Sequence, residues 1–206
     1  MFWSMARPEP VTRFVLMGGV AALLIGAGAA PAATPFPLAP CAIGAQRLTA
    51  DTTLAAARQA IARAFPSATF QDGTGTDPSR RQLRVTEGGA PLMIVSYYPR
   101  TAGRLLATVE LLSPRFELMP GVRPGVPLAV AARSIGPIQL SYNPETQVEQ
   151  IDAPALEQVL AGWQGKGCVV NPRLGPNGRV GLYPAGATET RRYRSTAIIR
   201  QIEIAF

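Results

Sequence analysis

The sequence predicts an α+β fold, an antiparallel sheet with two to three short helices packed on it. Three observations lead there. Apolar residues recur at helical spacing in some stretches and at a spacing of two in others. The strand candidates between residues 81 and 112 are joined by connections too short for a crossover, so they are antiparallel neighbours. The helical stretches are few and short, and such helices segregate against an antiparallel sheet.

Residues 1–32 read as a secretory signal peptide. Arg7 and Arg13 give a weakly positive start, Phe14 to Ala30 is unbroken apolar sequence, and Ala30-Pro31-Ala32 fits the small-x-small cleavage pattern. A spanning helix needs about 20 strongly apolar residues. This run is diluted by Gly and Ala and exits through Pro, so cleavage before Ala33 is expected over an uncleaved anchor, and nothing later is expected to span a membrane. Residues 33–46, with Pro35, Pro37 and Pro40, read as an extended lead-in rather than core. Residues 47–206 read as a single domain.

Within that domain the first helix is the clearest element. Asp51, Thr52 or Thr53 can cap it, Leu54, Ala57, Arg58, Ile61 and Phe65 keep its period, and Pro66 ends it. Gln71 to Pro78 reads as a turn-rich loop. Strands are expected over 81–86, 92–98 and 104–112, with Glu87-Gly88-Gly89-Ala90 as the first hairpin turn. Leu92 to Val95 is apolar on both faces, which places it centrally in the sheet. A second helix is expected over 127–135, stopped by Gly136 and Pro137. The octets at Leu54 to Ile61 and Leu128 to Ile135 match at four of eight positions, a hint of a duplicated helix-then-strands unit. Short strands over 139–142 and 147–151 follow. Then come a helix over 153–161 capped by Asp152, short strands marked by Val169, Val180 and Leu182, and a closing strand within 197–206.

Cys41 and Cys168 are the only cysteines, and an even count in an exported chain points to one disulfide between them. Leu38-Ala39-Pro40-Cys41 offers a competing lipid-attachment reading, but Pro40 stands where that processing wants a small residue. The expected location is therefore periplasmic or secreted, with a lipid anchor as the alternative. The chain has a net charge of +7 and no His. That balance points either to coding bias or to attraction toward anionic envelope components. Nucleic acid is disfavoured by the compartment and by aromatics that do not interleave with arginines.

Four segments resemble the small bacterial envelope lipoproteins induced by the extracytoplasmic stress sigma factor. They are Ile43-Gly44 with Leu48 to Thr52 and the helix after it; Gln82 to Val85 with Met93-Ile94-Val95; Gly121 to Leu128; and Ala197 to Ile202. The departure is the missing lipid-attachment box. The resemblance implies an envelope location and this fold, and brings no activity and no catalytic residues. A looser similarity is to the helix-plus-sheet units of outer-membrane assembly lipoproteins and to β-lactamase inhibitory proteins, which bind proteins.

Candidate chemistry is sparse. Without His there is no Ser-His-Asp or Cys-His arrangement and no His-containing metal site. No catalytic residue, metal or cofactor is called for. Lys166, between Gly165 and Gly167, reads as a solvated turn. Glu145, Glu149 and Asp152 are the close acidic group; they read as a solvated strand edge plus a helix cap, with a carboxylate-dependent cell-wall or glycan hydrolase as the functional alternative. Asp72 to Asp77 reads as a plain turn rather than a calcium loop. Gly121, Arg123 and Gly125, just before a helix start, are the candidate anion-binding residues. Arg191-Arg192-Tyr193-Arg194 is a second basic cluster, read as a solvated loop. The expected function is non-catalytic binding of an envelope protein or of an anionic lipid or glycan.

Overall fold

The computed structural model describes residues 35–75, 77–145, 147–174 and 179–206. The expected signal peptide and its cleavage site lie outside the described residues. Along the chain run β1 (Phe36–Pro37), β2 (Ala42–Ile43), β3 (Gln46–Arg47), α1 (Leu54–Ala64), β4 (Ala68–Thr74), β5 (Arg81–Glu87), β6 (Ala90–Tyr97), β7 (Leu106–Leu111) and β8 (Phe116–Glu117). There follow α2 (Leu128–Ile135), β9 (Gln139–Asn143), β10 (Val148–Asp152), α3 (Pro154–Gln164), β11 (Val169–Arg173), β12 (Glu189–Thr190) and β13 (Gln201–Ala205). The fold is α+β, as the sequence predicts. Among the described residues no helix is long and apolar enough to cross a membrane.

The main sheet has six strands in the order β11-β13-β7-β6-β5-β4, every neighbour antiparallel. Its register explains its two faces. Leu83, Val95, Val109, Ile204 and Val170 stand opposite one another in one row, and Val85, Met93, Leu111, Ile202 and Pro172 in the next. Because side chains alternate, these rows share one face, and they are buried in the core with Ala57 and Ile61 of α1, Leu128, Ala131 and Ile135 of α2, and Leu156 and Trp163 of α3. The intervening rows carry Arg84, Ile94, Glu110 and Glu203, and Gln82, Ser96 and Thr108, on the other face. As expected, β6 lies inside the sheet, between β7 and β5.

Several expectations are corrected. The stretch 68–74, half of it read as a turn-rich loop, forms the edge strand β4, paired with β5 from Ala68 to Thr74. An edge strand tolerates Asp72-Gly73 because one side of it needs no partner. The lead-in, over its described residues 35–46, is extended but not separate from the core. Cys41 and Ile43 are fully buried, β1 pairs in parallel with β8, and Phe36 packs with Phe65 and Phe116 at ring-centroid distances of 5.3 and 6.1 Å.

Helix ends follow local chemistry. Thr53 caps α1, its hydroxyl accepting from the Ala56 N–H. Asp152 does not cap α3: it is the last residue of β10, and Ala153 takes the cap position with Pro154 opening the helix. The matching octets both lie in helices, and both bury the shared alanine (Ala57, Ala131) and isoleucine (Ile61, Ile135). The strands after them differ: α1 leads into the six-stranded sheet, α2 into the β9–β10 hairpin of a separate three-stranded sheet completed by β12. Val180 and Leu182 lie outside any strand, with Gly181 bridged to Tyr193.

Cys41 and Cys168 are joined in a disulfide, with a Cα–Cα distance of 5.8 Å. It fastens the β1–β2 connection to the turn between α3 and β11.

Candidate anion-binding groove

The residues singled out before α2 do not form an open anion site. Gly121 and Gly125 do adopt left-handed angles, φ 79° and 85°. Their donors, however, are already used. The Gly121 N–H donates to Glu117 Oε1 at 3.1 Å, that of Gly125 to the Ile199 carbonyl at 2.7 Å and that of Leu128 to the Ala197 carbonyl at 2.8 Å. A carboxylate of the protein thus occupies the place expected for an external anion, and Arg123 is left half-buried beside a zipped-up segment. The cluster Arg191 to Arg194 is pinned by its backbone to Val180 and Leu182, with its three arginine side chains exposed.

The acidic trio is split in its exposure. Glu149, expected at a solvated edge, is 7% exposed. Its Oε1 accepts from the Gly181 N–H at 2.9 Å and the Tyr183 hydroxyl at 2.7 Å, and its Oε2 accepts from the Val180 N–H at 2.8 Å. Burial, then the bond to Glu149, pushes the Tyr183 hydroxyl far above the usual tyrosine range. Arg179 stacks over Tyr142 and Tyr183, its guanidinium 3.8 and 4.8 Å from the ring centroids. Glu145 stays exposed in the hairpin turn. These three bonds stitch the small sheet to the 180–183 segment. Asp72 and Asp77 likewise take separate partners: Asp72 accepts from the Tyr97 hydroxyl, and Asp77 from the backbone and hydroxyl of Ser79. Thr76, between them, lies outside the described residues. Lys166 is exposed, and its carbonyl accepts from Arg47.

A basic groove forms elsewhere, at the start of α1. Arg104 ends the β6–β7 loop, Arg81 opens β5 and Arg58 sits one turn into α1. Two adjoining hollows share Pro99 and Arg104: one of about 500 Å³ includes Arg58 and Gly103, and one of about 400 Å³ includes Asp72, Arg81 and Tyr97. The floor of the smaller one is Tyr97, 4% exposed, whose hydroxyl donates to Asp72 at 3.2 Å. Burial, then the Asp72 charge and hydrogen bond, raises the Tyr97 hydroxyl above the usual tyrosine range, while Arg104 and Arg81 pull it down. Both guanidinium charges therefore bear on that floor. Arg58 lies over the Phe70 ring, 4.8 Å from its centroid. Among the described residues none of these three arginines is in an ion pair; the pairs there use Arg80, Arg115 and Arg173.

The loop that presents Arg104 is fixed from several sides. Thr101 Oγ accepts from the Leu105 N–H, the Leu54 N–H donates to the Gly103 and Arg104 carbonyls, and Leu106 bonds back to Thr52. Gly103 and Arg104 both have positive φ, 74° and 54°. A Cβ on Gly103 would lie 2.6 Å from Thr53 Cγ2. Gly103→Ala is therefore expected to lower stability by about 1–3 kcal/mol, read by denaturant unfolding, because it adds angle strain to a clash at the α1 cap.

No family model matches the chain, and no curated protein matches it. Among solved structures, the crystal structure of the uncharacterized protein yfeY from Escherichia coli aligns with it. The alignment covers 84% of this chain and 100% of that one, at 16% identity and a TM-score of 0.46. That degree of likeness transfers no residue role.

Proposed function

We propose that this is an exported, non-catalytic envelope protein whose arginine-lined groove binds an anionic envelope component, a lipid headgroup or glycan bearing phosphate or sulfate. The observation that carries the reading is that Arg58 and Arg81 line two adjoining hollows that share Arg104, with no carboxylate ion-paired to any of the three among the described residues. Guanidinium groups match tetrahedral oxyanions through paired donors. Support for export comes from the apolar, cleavable-looking N-terminus and from a disulfide, which persists in oxidising compartments. The resemblance to stress-induced envelope lipoproteins agrees with the location. The three donors held by Glu149 favour this reading over the hydrolase alternative.

Vesicles of phosphatidylcholine with and without phosphatidylglycerol test the proposal by co-sedimentation. Wild type should bind only the anionic vesicles. Arg104→Gln should weaken that binding roughly tenfold at low salt, the worth of one good charge-assisted contact. Arg123→Gln should leave it within about twofold, and the gap should narrow as salt screens the charges. Equal losses in the two variants would reduce the effect to diffuse net charge.

A further inference from the structure

We propose that a second groove, on the open polar face of the six-stranded sheet, binds a primary ammonium group between Glu110 and Glu203. The two glutamates stand directly opposite each other on β7 and β13. Like charges facing across strands repel. Each has one partner: Gln201 Nε2 donates to Glu110 Oε2 at 3.2 Å, and Arg173 Nη2 to Glu203 Oε1 at 2.6 Å. In the adjoining row Ser96 faces Thr108. Ser96 is 4% exposed, yet its hydroxyl makes no hydrogen bond among the described residues. Ser96, Thr108, Gln82, Glu110 and Glu203 line one groove of about 160 Å³, together with Arg80 and Asp77.

The charges around it leave one negative group unmatched. Arg173 is taken by Glu203, and Arg80 faces Asp77 at 3.2 Å and lies over the Tyr98 ring. On the sheet face β6 puts apolar Ile94 beside Glu110, and Arg84 of β5 stands beyond Ile94 in the same row. Glu110 is therefore a half-buried carboxyl with a second carboxylate beside it. Burial first, and then the Glu203 charge, holds it above the usual carboxylate range, against the opposing pull of Gln201 and Arg173.

The chemistry selects the ligand. An anion would meet two carboxylates. A neutral group would leave the Glu110 charge uncompensated. A metal ion finds no group of three or more His, Cys, Asp or Glu side chains among the described residues. A primary ammonium is compact, carries one positive charge and donates three hydrogen bonds, and Glu110, Glu203 and Ser96 Oγ offer acceptors together. This acidic groove sits on a chain of net charge +7, where a cationic ligand would not otherwise collect.

Isothermal titration with cadaverine and with Nα-acetyl-lysine amide tests the site and separates its two sources, a free polyamine or a lysine side chain of a partner. Wild type should bind at least one of them. Glu110→Gln should weaken binding roughly tenfold and Ser96→Ala roughly threefold, while Glu145→Gln on the distant hairpin should change nothing. Affinity should rise with pH as Glu110 loses its proton. Tighter binding of cadaverine assigns a polyamine; equal or tighter binding of the lysine amide assigns a partner's side chain. The Glu110→Gln protein is expected to fold and to melt higher than wild type near pH 7, with the gain fading toward about pH 4. A carboxyl raised in the fold destabilises only where it is forced to ionise. No binding of either probe at millimolar concentration, or undiminished binding by Glu110→Gln, overturns the proposal.

Discussion

Replacing Cys41 by Ser lowers the stability of the oxidised protein by about 4–5 kcal/mol, the chain-entropy value for so long a loop. The bridged residues are 127 apart in sequence, so the bridge removes a large set of unfolded conformations. For a domain of this size the melting temperature should fall by roughly 10–20 °C. Both half-cystines are buried, and Cys41 holds a left-handed backbone angle, φ 54°, that the surrounding packing must support. Under reducing conditions wild type and variant should differ by about 1 kcal/mol or less, the cost of a hydroxyl in place of a thiol in an apolar site. Scanning calorimetry with and without reductant separates the two cases. An equal loss in both would mean that packing at Cys41, rather than the bridge, carries the effect.

Glu149→Ala is expected to cost about 3–5 kcal/mol, which is large for a residue on a small three-stranded sheet. The substitution strands two backbone N–H groups and the Tyr183 hydroxyl, all of which donate to this one carboxylate. It also opens a cavity against Gly181, where a Cβ would lie 2.8 Å from Glu149 Oε1. Glu149→Gln should cost less, since an amide oxygen keeps part of the set while its NH₂ confronts a donor. Because α3 and the six-stranded sheet do not depend on those bonds, amide exchange should speed up first in residues 180–193. Uniform loss of protection throughout the domain would show instead that the cluster belongs to the global core.

The fold was legible because its two periods are clean. Leu83 and Val85, and Ile202 and Ile204, alternate with polar residues, Leu92 to Val95 is the continuous apolar run of an interior strand, and α1 and α2 carry their apolar stripes between recognisable stops. Edge strand β4 was hidden because Asp72-Gly73 is turn chemistry, and only a tertiary neighbour, β5, decides against a turn. The candidate groove was less legible still. Counting back from the hairpin turn pairs Arg81 with Ser96. A register shift at Val85/Thr86 brings it to Tyr97 instead, and so onto the floor of the groove. Arg104 and Arg58 are far apart in sequence, and their meeting depends on the Thr101-anchored loop that fixes the start of α1. Gly121, Arg123 and Gly125 looked better placed because their spacing is local. What the spacing could not reveal is that Glu117 and the 197–199 segment consume the donors.

The most direct test of anion binding is to map where the ligand sits. Short-chain phosphatidylglycerol, below its micelle concentration, would be titrated into isotopically labelled protein and followed by amide chemical shifts. The arginine groove predicts saturable shifts at Arg58, Asp72, Thr74, Arg81 and residues 101–104, absent with the phosphatidylcholine analogue and abolished in Arg104→Gln. Shifts centred on residues 121–125, or spread evenly over every exposed arginine, would contradict it.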